Sequence, residues 1–216
     1  LQDREYRDDA GVSINPEFAF EDLRTMQPTD SGALERLRRY LGSDDRDLQI
    51  EALKRLHDIG DDSVVDLVLD YLDDRHPDYF RNASYAAIGI FNRSNSEDVR
   101  EMILIGIERS IAERLEDPDP AADGDYVVAI ETLGQLDSDV ARDILLKQLE
   151  DNPSDRLDNV FIIVDSLQPH MSKAFLQHLI DLELALDHKL RTANAEDEML
   201  IEDIKRLIAG MVTEHI

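Results

Sequence analysis

Four carboxylates crowd into nine residues, Asp117-Pro-Asp-Pro-Ala-Ala-Asp-Gly-Asp125, a composition that could suit Ca²⁺. A helix–loop–helix calcium site needs oxygen ligands at positions one, three and five, Gly at six and Glu at twelve. With Asp117 as position one, Ala121 falls on five and Ala122 takes the place of the glycine. The segment therefore reads as an acidic loop, its two prolines barring helix, and no metal is assigned. The histidines give no ligand pattern: His170 and His178 are eight apart, and no HExxH occurs. His57 precedes a turn and reads as a surface or capping residue. There is no GxSxG, Walker loop or GxGxxG. Acidic pairs are so frequent that none stands out as a catalytic dyad. No catalytic residue and no cofactor is assigned. Arg36, Arg38 and Arg39 form the one dense basic cluster. It reads as a solvated helix face, as a site for an acidic partner, or as part of an internal ion-pair network. The sequons at Asn82 and Asn92 read as accidental.

Charge bounds the partners. The chain has 49 acidic against 23 basic residues, a net charge of −26, with 32 Asp to 17 Glu and 18 Arg to 5 Lys. Phosphate binding needs a positive footprint, so nucleic acid is disfavoured, and an anionic membrane surface likewise. Two readings remain: a basic protein partner, or a halophile-like composition that keeps a protein solvated in a salty cytoplasm. The Asp excess reads as spread over every helix, which favours the second. No run approaches the ~18 apolar residues of a membrane span. There are no cysteines and no visible signal segment, so the expected location is cytoplasmic. The chain starts at Leu1 without Met, which reads as a processed form or a piece of a longer protein.

The elements that would position any site are helical. In DDRDLQIEALKRLHDIGDDSVVDLVLDYLDD, Asp44 to Asp74, the residues Ile50, Leu53, Leu56 and Ile59 recur at helical spacing. Val64, Val65, Val68, Leu69 and Leu72 do so again. Between them Gly60 is expected to take positive φ and Asp61 or Asp62 to cap the second helix. Shifted by 77 residues the unit reappears from Asp125 to Asp151, with Leu56 on Leu133 and Val68 on Leu145. A copy between them places Tyr85, Ile88 and Phe91 on one helix and Val99, Ile103 and Ile107 on a longer second. A fourth runs from Ser154 to Leu186. Helical period within copies of roughly 30–40 residues marks an α-solenoid.

The stretch from Leu56 to Val68, LHDIGDDSVVDLV, resembles the turn and second helix of HEAT-like repeats, most of all the short bacterial type also found in phycobilisome lyases. Leu133-Gly-Gln-Leu136 has the same turn entry. Copy two departs from it with Asn92-Arg-Ser-Asn95, and copy four with Gln168-Pro169. The resemblance, covering about Asp44 to Leu186, implies stacked hairpins and a habit of binding partners, without a reaction.

The expected fold is all-α, a solenoid of four to five HEAT-like hairpins with a C-terminal capping helix. Residues 1–30 form an arm and cap, ordered from about Pro16. Residues 31–191 form the solenoid and 192–216 the capping helix, all in one continuous domain. Ser31 to Leu41 should be a helix stopped by Gly42. The last helix should bury Leu200, Ile201, Ile204, Leu207, Ile208 and Met211, and it either caps the stack or meets a second copy. The expected function is a non-catalytic scaffold or adaptor. Aligned copies place Asp66, Glu101, Asp143 and Lys173 in one partner-facing stripe. Asp70, Ile105, Lys147 and Gln177 form the next. One alternative is a phycobilin-lyase-like chromophore-handling role, carried by the resemblance alone. Another is a soluble regulatory domain of a larger membrane-associated or signalling protein.

Overall fold

Pro16 begins the first helix where a missing N–H costs nothing, and the Asn15 side chain accepts the Phe18 amide at 3.3 Å. The same economy recurs along the chain. Asp45 accepts from Leu48 at 2.8 Å, Asp61 from Ser63 at 2.9 Å and Asn194 from Asp197 at 2.9 Å. Each start is thus fixed locally, before tertiary packing. The computed structural model describes residues 6–7, 13–116, 120–151, 157–170, 173–191 and 193–215. Tyr6–Arg7 (β1) pairs antiparallel with Ser13–Ile14 (β2). Eleven helices follow among the described residues. They are α1 (Pro16–Thr25), α2 (Ala33–Leu41), α3 (Arg46–Ile59), α4 (Val65–Leu72), α5 (Pro77–Arg93) and α6 (Glu97–Glu116). Then come α7 (Pro120–Gly134), α8 (Asp139–Asp151), α9 (Leu157–Ser166), α10 (Lys173–Leu190) and α11 (Ala195–His215).

The fold class is the all-α solenoid that the repeat pattern predicts: five successive helix pairs, then α11. The chain divides into two compact units, Leu1–Asp125 and Tyr126–Ile216, the cut falling inside α7. In unit 1 the first helices α1, α3 and α5 pack in sequence, and the second helices α4 and α6 pack on each other. In unit 2 α8 packs on α9, and α11 packs on both α9 and α10. The repeat alignment holds in the core, because Leu56, Val68, Leu133 and Leu145 are all fully buried. Burial on α11 falls on Ile201, Ile204, Ile208 and Met211, while Leu200 and Leu207 are half-buried.

Two expectations are corrected. Gly60 does not take positive φ; it is extended, at φ −57° and ψ 146°. Glycine is needed there for space, since a Cβ would stand 2.6 Å from the Leu56 carbonyl and 3.0 Å from Ile90. The acidic loop is shorter than nine residues, because α7 starts at Pro120; proline suits a first helical turn. Asp117 to Asp119 lie outside the described residues. A third point refines the reading of copy two: Tyr85, Ile88 and Phe91 do share one helix, but Tyr85 is exposed and stacks on the His57 ring at 3.8 Å, 9° from parallel, while Phe80, Ala83 and Ala87 face inward.

Arginines hold the helix ends of unit 1. Arg93 on α5 donates to the carbonyls of Leu56, His57 and Gly60, the Gly60 bond being 2.7 Å. The Leu56 carbonyl also accepts the Gly60 amide at 2.8 Å, while those of His57 and Gly60 lie at the open end of α3, where a helix runs out of its own donors. Arg55 on α3 does the same for α1, at Leu23 (2.7 Å), Arg24 (3.2 Å) and Met26 (2.8 Å). Arg114 on α6 reaches Leu72 and Asp74 at the end of α4, lies 3.6 Å over the Phe80 ring and faces Asp125 at 3.7 Å. Asp125, read from sequence as part of a solvated loop, is 6% exposed. The Arg36–Arg38–Arg39 cluster is in large part an internal network. Arg36 meets Asp22 at 2.9 Å, and Arg38 donates to the Ser63 carbonyl at 2.7 Å. Asp22 also accepts from Tyr40, whose phenol is pushed well above its usual range by burial and by that bond.

Candidate partner-binding surface

The contact between α4 and α6 sets the geometry of the second-helix face in unit 1. Gly106 lets the helices close up, since a Cβ there would stand 2.6 Å from Leu69 Cδ2. One turn on, Arg109 holds both oxygens of Asp73 at 2.6 Å. The Ser110 hydroxyl donates to the Leu72 carbonyl at 3.3 Å. These contacts run parallel, pairing residues 36 to 38 apart. The register brings Asp66 level with residues 102–104, and Asp70 level with 106–108.

On this face Ile105 is 56% exposed and Met102 36% exposed, beside Asp66, Asp70 and Glu101, which are exposed too. None of those three carboxylates makes an ion pair among the described residues. Arg100, next to Glu101 in sequence, instead lies 4.4 Å over the Phe91 ring on the inner side. The result is a small apolar patch flanked by open negative charge.

The predicted residues are thus divided between the units. Asp66, Asp70 and Glu101 lie in unit 1 on α4 and α6. Asp143 and Lys147 lie in unit 2 on α8, both exposed, with Val140 exposed one turn before them. Arg142 holds Asp143 at 2.9 Å and Asp139 at 2.7 Å. Lys173 opens α10, but its side chain lies outside the described residues. Sequence reasoning missed Met102. The signal was there: Met102, Ile103, Leu104, Ile105 and Ile107 are too many apolar residues in succession for one face of a helix. Ile103, Leu104 and Ile107 go to the core, and Met102 and Ile105 are left out.

Charge is not spread evenly in unit 1. By the helix bounds, α3 and α5 together carry five basic and four acidic residues, whereas α4 and α6 carry three basic and eight acidic. Asp itself is even, three residues on each set, and the imbalance lies chiefly in Glu, one residue against five. A cavity of about 400 Å³ lies between α9 and α11 in unit 2, lined by Phe161, Leu207, Gly210 and Met211 with Asp203 and Arg206 at its rim. Among the described residues no three His, Asp or Glu converge as a metal site would require.

Parallel second helices packed through a glycine, with first helices packed side by side, are the geometry of a helical repeat. Residues 18–89 match the family model for HEAT repeats. The match covers a third of the chain, all of it within unit 1, and makes residues 18–89 HEAT-like. The matched stretch takes in most of α1 through most of α5, and so includes Arg55 and the end of α3 that Arg93, just beyond the match, caps. No curated protein matches the chain. No helix among the described residues is long and apolar enough to cross a membrane.

Proposed function

We propose that this protein is a non-catalytic scaffold that holds a protein partner on the second-helix face of unit 1. The observation that carries this reading is the exposure of Met102 and Ile105 together, on a helix whose other large apolar side chains are largely buried. An apolar pair ringed by polar groups is a common form for an interaction surface. The exposed α8 residues Asp143 and Lys147 belong to the same proposal as a contact made by unit 2 in its own right.

The test places a photo-crosslinking residue at position 105, 66 or 143 of the full chain, with Asn92, an exposed residue at the end of α5, as control. Crosslinking is done in extract of the source cells. The same partner band should appear from 105 and 66, be competed by unlabelled wild-type protein, and not be competed by Ile105→Asp. A band equally strong from position 92, or competed equally by Ile105→Asp, would overturn the assignment of the face. A band from 105 and 66 but not from 143 would confine the surface to unit 1.

A further inference from the structure

Resting on that reading of the α4–α6 face, we infer that the partner segment is basic and amphipathic: an apolar side chain seated on Met102 and Ile105, with Lys or Arg on either side opposite Asp66, Asp70 and Glu101. Two exposed apolar side chains are too small an anchor to hold a partner alone, so the rim must contribute. That rim is made of carboxylates. One turn further along α4 the pattern changes, because Asp73 is neutralised by Arg109 through both oxygens. Asp66 and Asp70 have no such cation, although the chain has 18 arginines. The arginines nearest to them in sequence on α6 are engaged elsewhere, Arg100 on Phe91 and Arg109 on Asp73.

Covering this patch with a neutral apolar surface would strip water from carboxylates with nothing in return, which is costly. An acidic segment would meet repulsion from the three carboxylates and from a chain of net charge −26. A basic segment gains in two ways: the field steers its approach, and each contact replaces lost hydration. The spacing fits a short element. Asp66 and Asp70 are one helical turn apart, as are Glu101 and Ile105, so cations spaced by about 6 Å would face them in turn.

The experiment uses the full chain and three labelled helical peptides, read by fluorescence anisotropy at low and moderate salt. One carries Lys flanking a Leu stripe, one has Glu in place of Lys, and one keeps Lys but has Ser in place of Leu. The Lys–Leu peptide should bind, the Glu–Leu peptide should not, and the Lys–Ser peptide should bind about tenfold more weakly or worse. Combining Asp66→Asn, Asp70→Asn and Glu101→Gln should weaken Lys–Leu binding at least about tenfold and flatten its salt dependence. Ile105→Ser should also weaken it about tenfold. A control with the same change in net charge, Glu131→Gln, Glu150→Gln and Asp158→Asn, should stay within about twofold, with circular dichroism confirming that each variant is folded. Equal losses in the two charge triples would overturn the inference, reducing the binding to diffuse attraction by an acidic protein. So would equal affinity for the Lys–Leu and Lys–Ser peptides. Crosslinking from position 105 that survives the α4–α6 charge triple unchanged would keep the face and sink the basic partner. Loss of crosslinking specificity would sink the face itself.

Discussion

In unit 1 the ends of α1 and α3 close on their own backbone and are also tied by an arginine from the next hairpin; in unit 2, among the described residues, α7 and α9 close on their own backbone alone. Arg55 and Arg93 each reach back more than thirty residues to cap the preceding first helix. The amides of Met26 and Gly60 return to Asp22 and Leu56 at 2.8 Å, and at the end of α7 those of Gln135 and Leu136 return to Thr132 and Leu133 at 3.0 and 3.1 Å. At the end of α9 the Leu167 amide returns to Ile163 and Val164. No arginine among the described residues of unit 2 reaches a carbonyl of another helix; Arg142 and Arg206 pair with acids on their own helices. Both units still bring first helices very close. Gly89 faces the His57 carbonyl, where a Cβ would stand at 2.0 Å, and Gly134 faces that of Ser166, at 2.7 Å. Close packing is therefore the shared requirement, and the arginine cap is an added one. Arg55 and Arg93 sit on first helices, and Arg114 on α6 serves the end of α4 in the same way. On the second-helix face Arg109 is taken up by Asp73, and Asp66, Asp70 and Glu101 stay open among the described residues.

The largest expected effect comes from the shared core. Leu56→Ala and Leu133→Ala should each cost about 2–5 kcal/mol, since both side chains are fully buried. Amide hydrogen exchange would show where the loss falls. If the units open separately, Leu56→Ala lowers protection in α3–α5 and Leu133→Ala in α7–α9. If either variant lowers protection in both units equally, the division into two units has no energetic meaning.

The caps come next. Arg93→Met should cost about 2–3 kcal/mol, because it takes the donor from the His57 and Gly60 carbonyls at the end of α3. Arg142→Met should cost under about 1 kcal/mol, since its partners are exposed and local. Urea titrations of the two variants give the comparison directly. Equal costs would mean that solvent caps α3 as well as Arg93 does.

How much of this could be read in advance follows from the range of each signal. The hairpins were legible because Leu56 and Leu133, or Val68 and Leu145, repeat within one helix period, and burial follows that period. The turn after Ile59 was legible, but its geometry was not. Gly60 reads as a left-handed residue until it is known that Ile90 and Arg93 come up against it. Pro120 looked like a helix breaker because sequence alone does not say whether a proline sits inside a helix or at its start. Asp125 looked solvated because its partner Arg114 lies across a turn, and the Phe80 ring beneath that arginine is further still. Of the site, the exposure of Asp66, Asp70 and Glu101 followed from helical period. The openness of those charges did not, since it depends on where the arginines go.

A smaller effect should appear with salt. By composition α7 and α9 carry five acidic residues and no basic one, against the near balance of α3 and α5. Raising KCl from ~10 mM to ~1 M should raise the melting temperature by screening self-repulsion. Hydrogen exchange should slow more in α7 and α9 than in α3 and α5. A flat melting temperature would remove the halophile-like reading of the charge and add weight to a basic partner. An equal gain in both units would detach the salt response from helix composition.

The smallest effect concerns Asp125, where unit 1 ends. Burial pushes its carboxyl above the ordinary value, and the Arg114 guanidinium pulls it only part of the way back. A carboxyl raised in the folded state holds its proton more tightly there than in the unfolded chain. Its ionised form therefore costs stability above the folded-state value, and the cost fades as the pH falls through that value. Between about pH 7 and about pH 4.5 the wild type should lose less stability on acidification than Asp125→Asn, which has no such group. Exchange protection in α5 and α6, measured at both pH values, would read the difference. Arg114→Met should steepen the wild-type trend, because the remaining carboxyl loses its ion-pair partner and keeps only the weaker pull of Arg81 and His76. Should the wild type instead lose more than Asp125→Asn as the pH falls, attraction to Arg114 outweighs burial. The pair would then be a net clamp on α7, and unit 1 would close with an ion pair of the same kind of worth as its arginine caps.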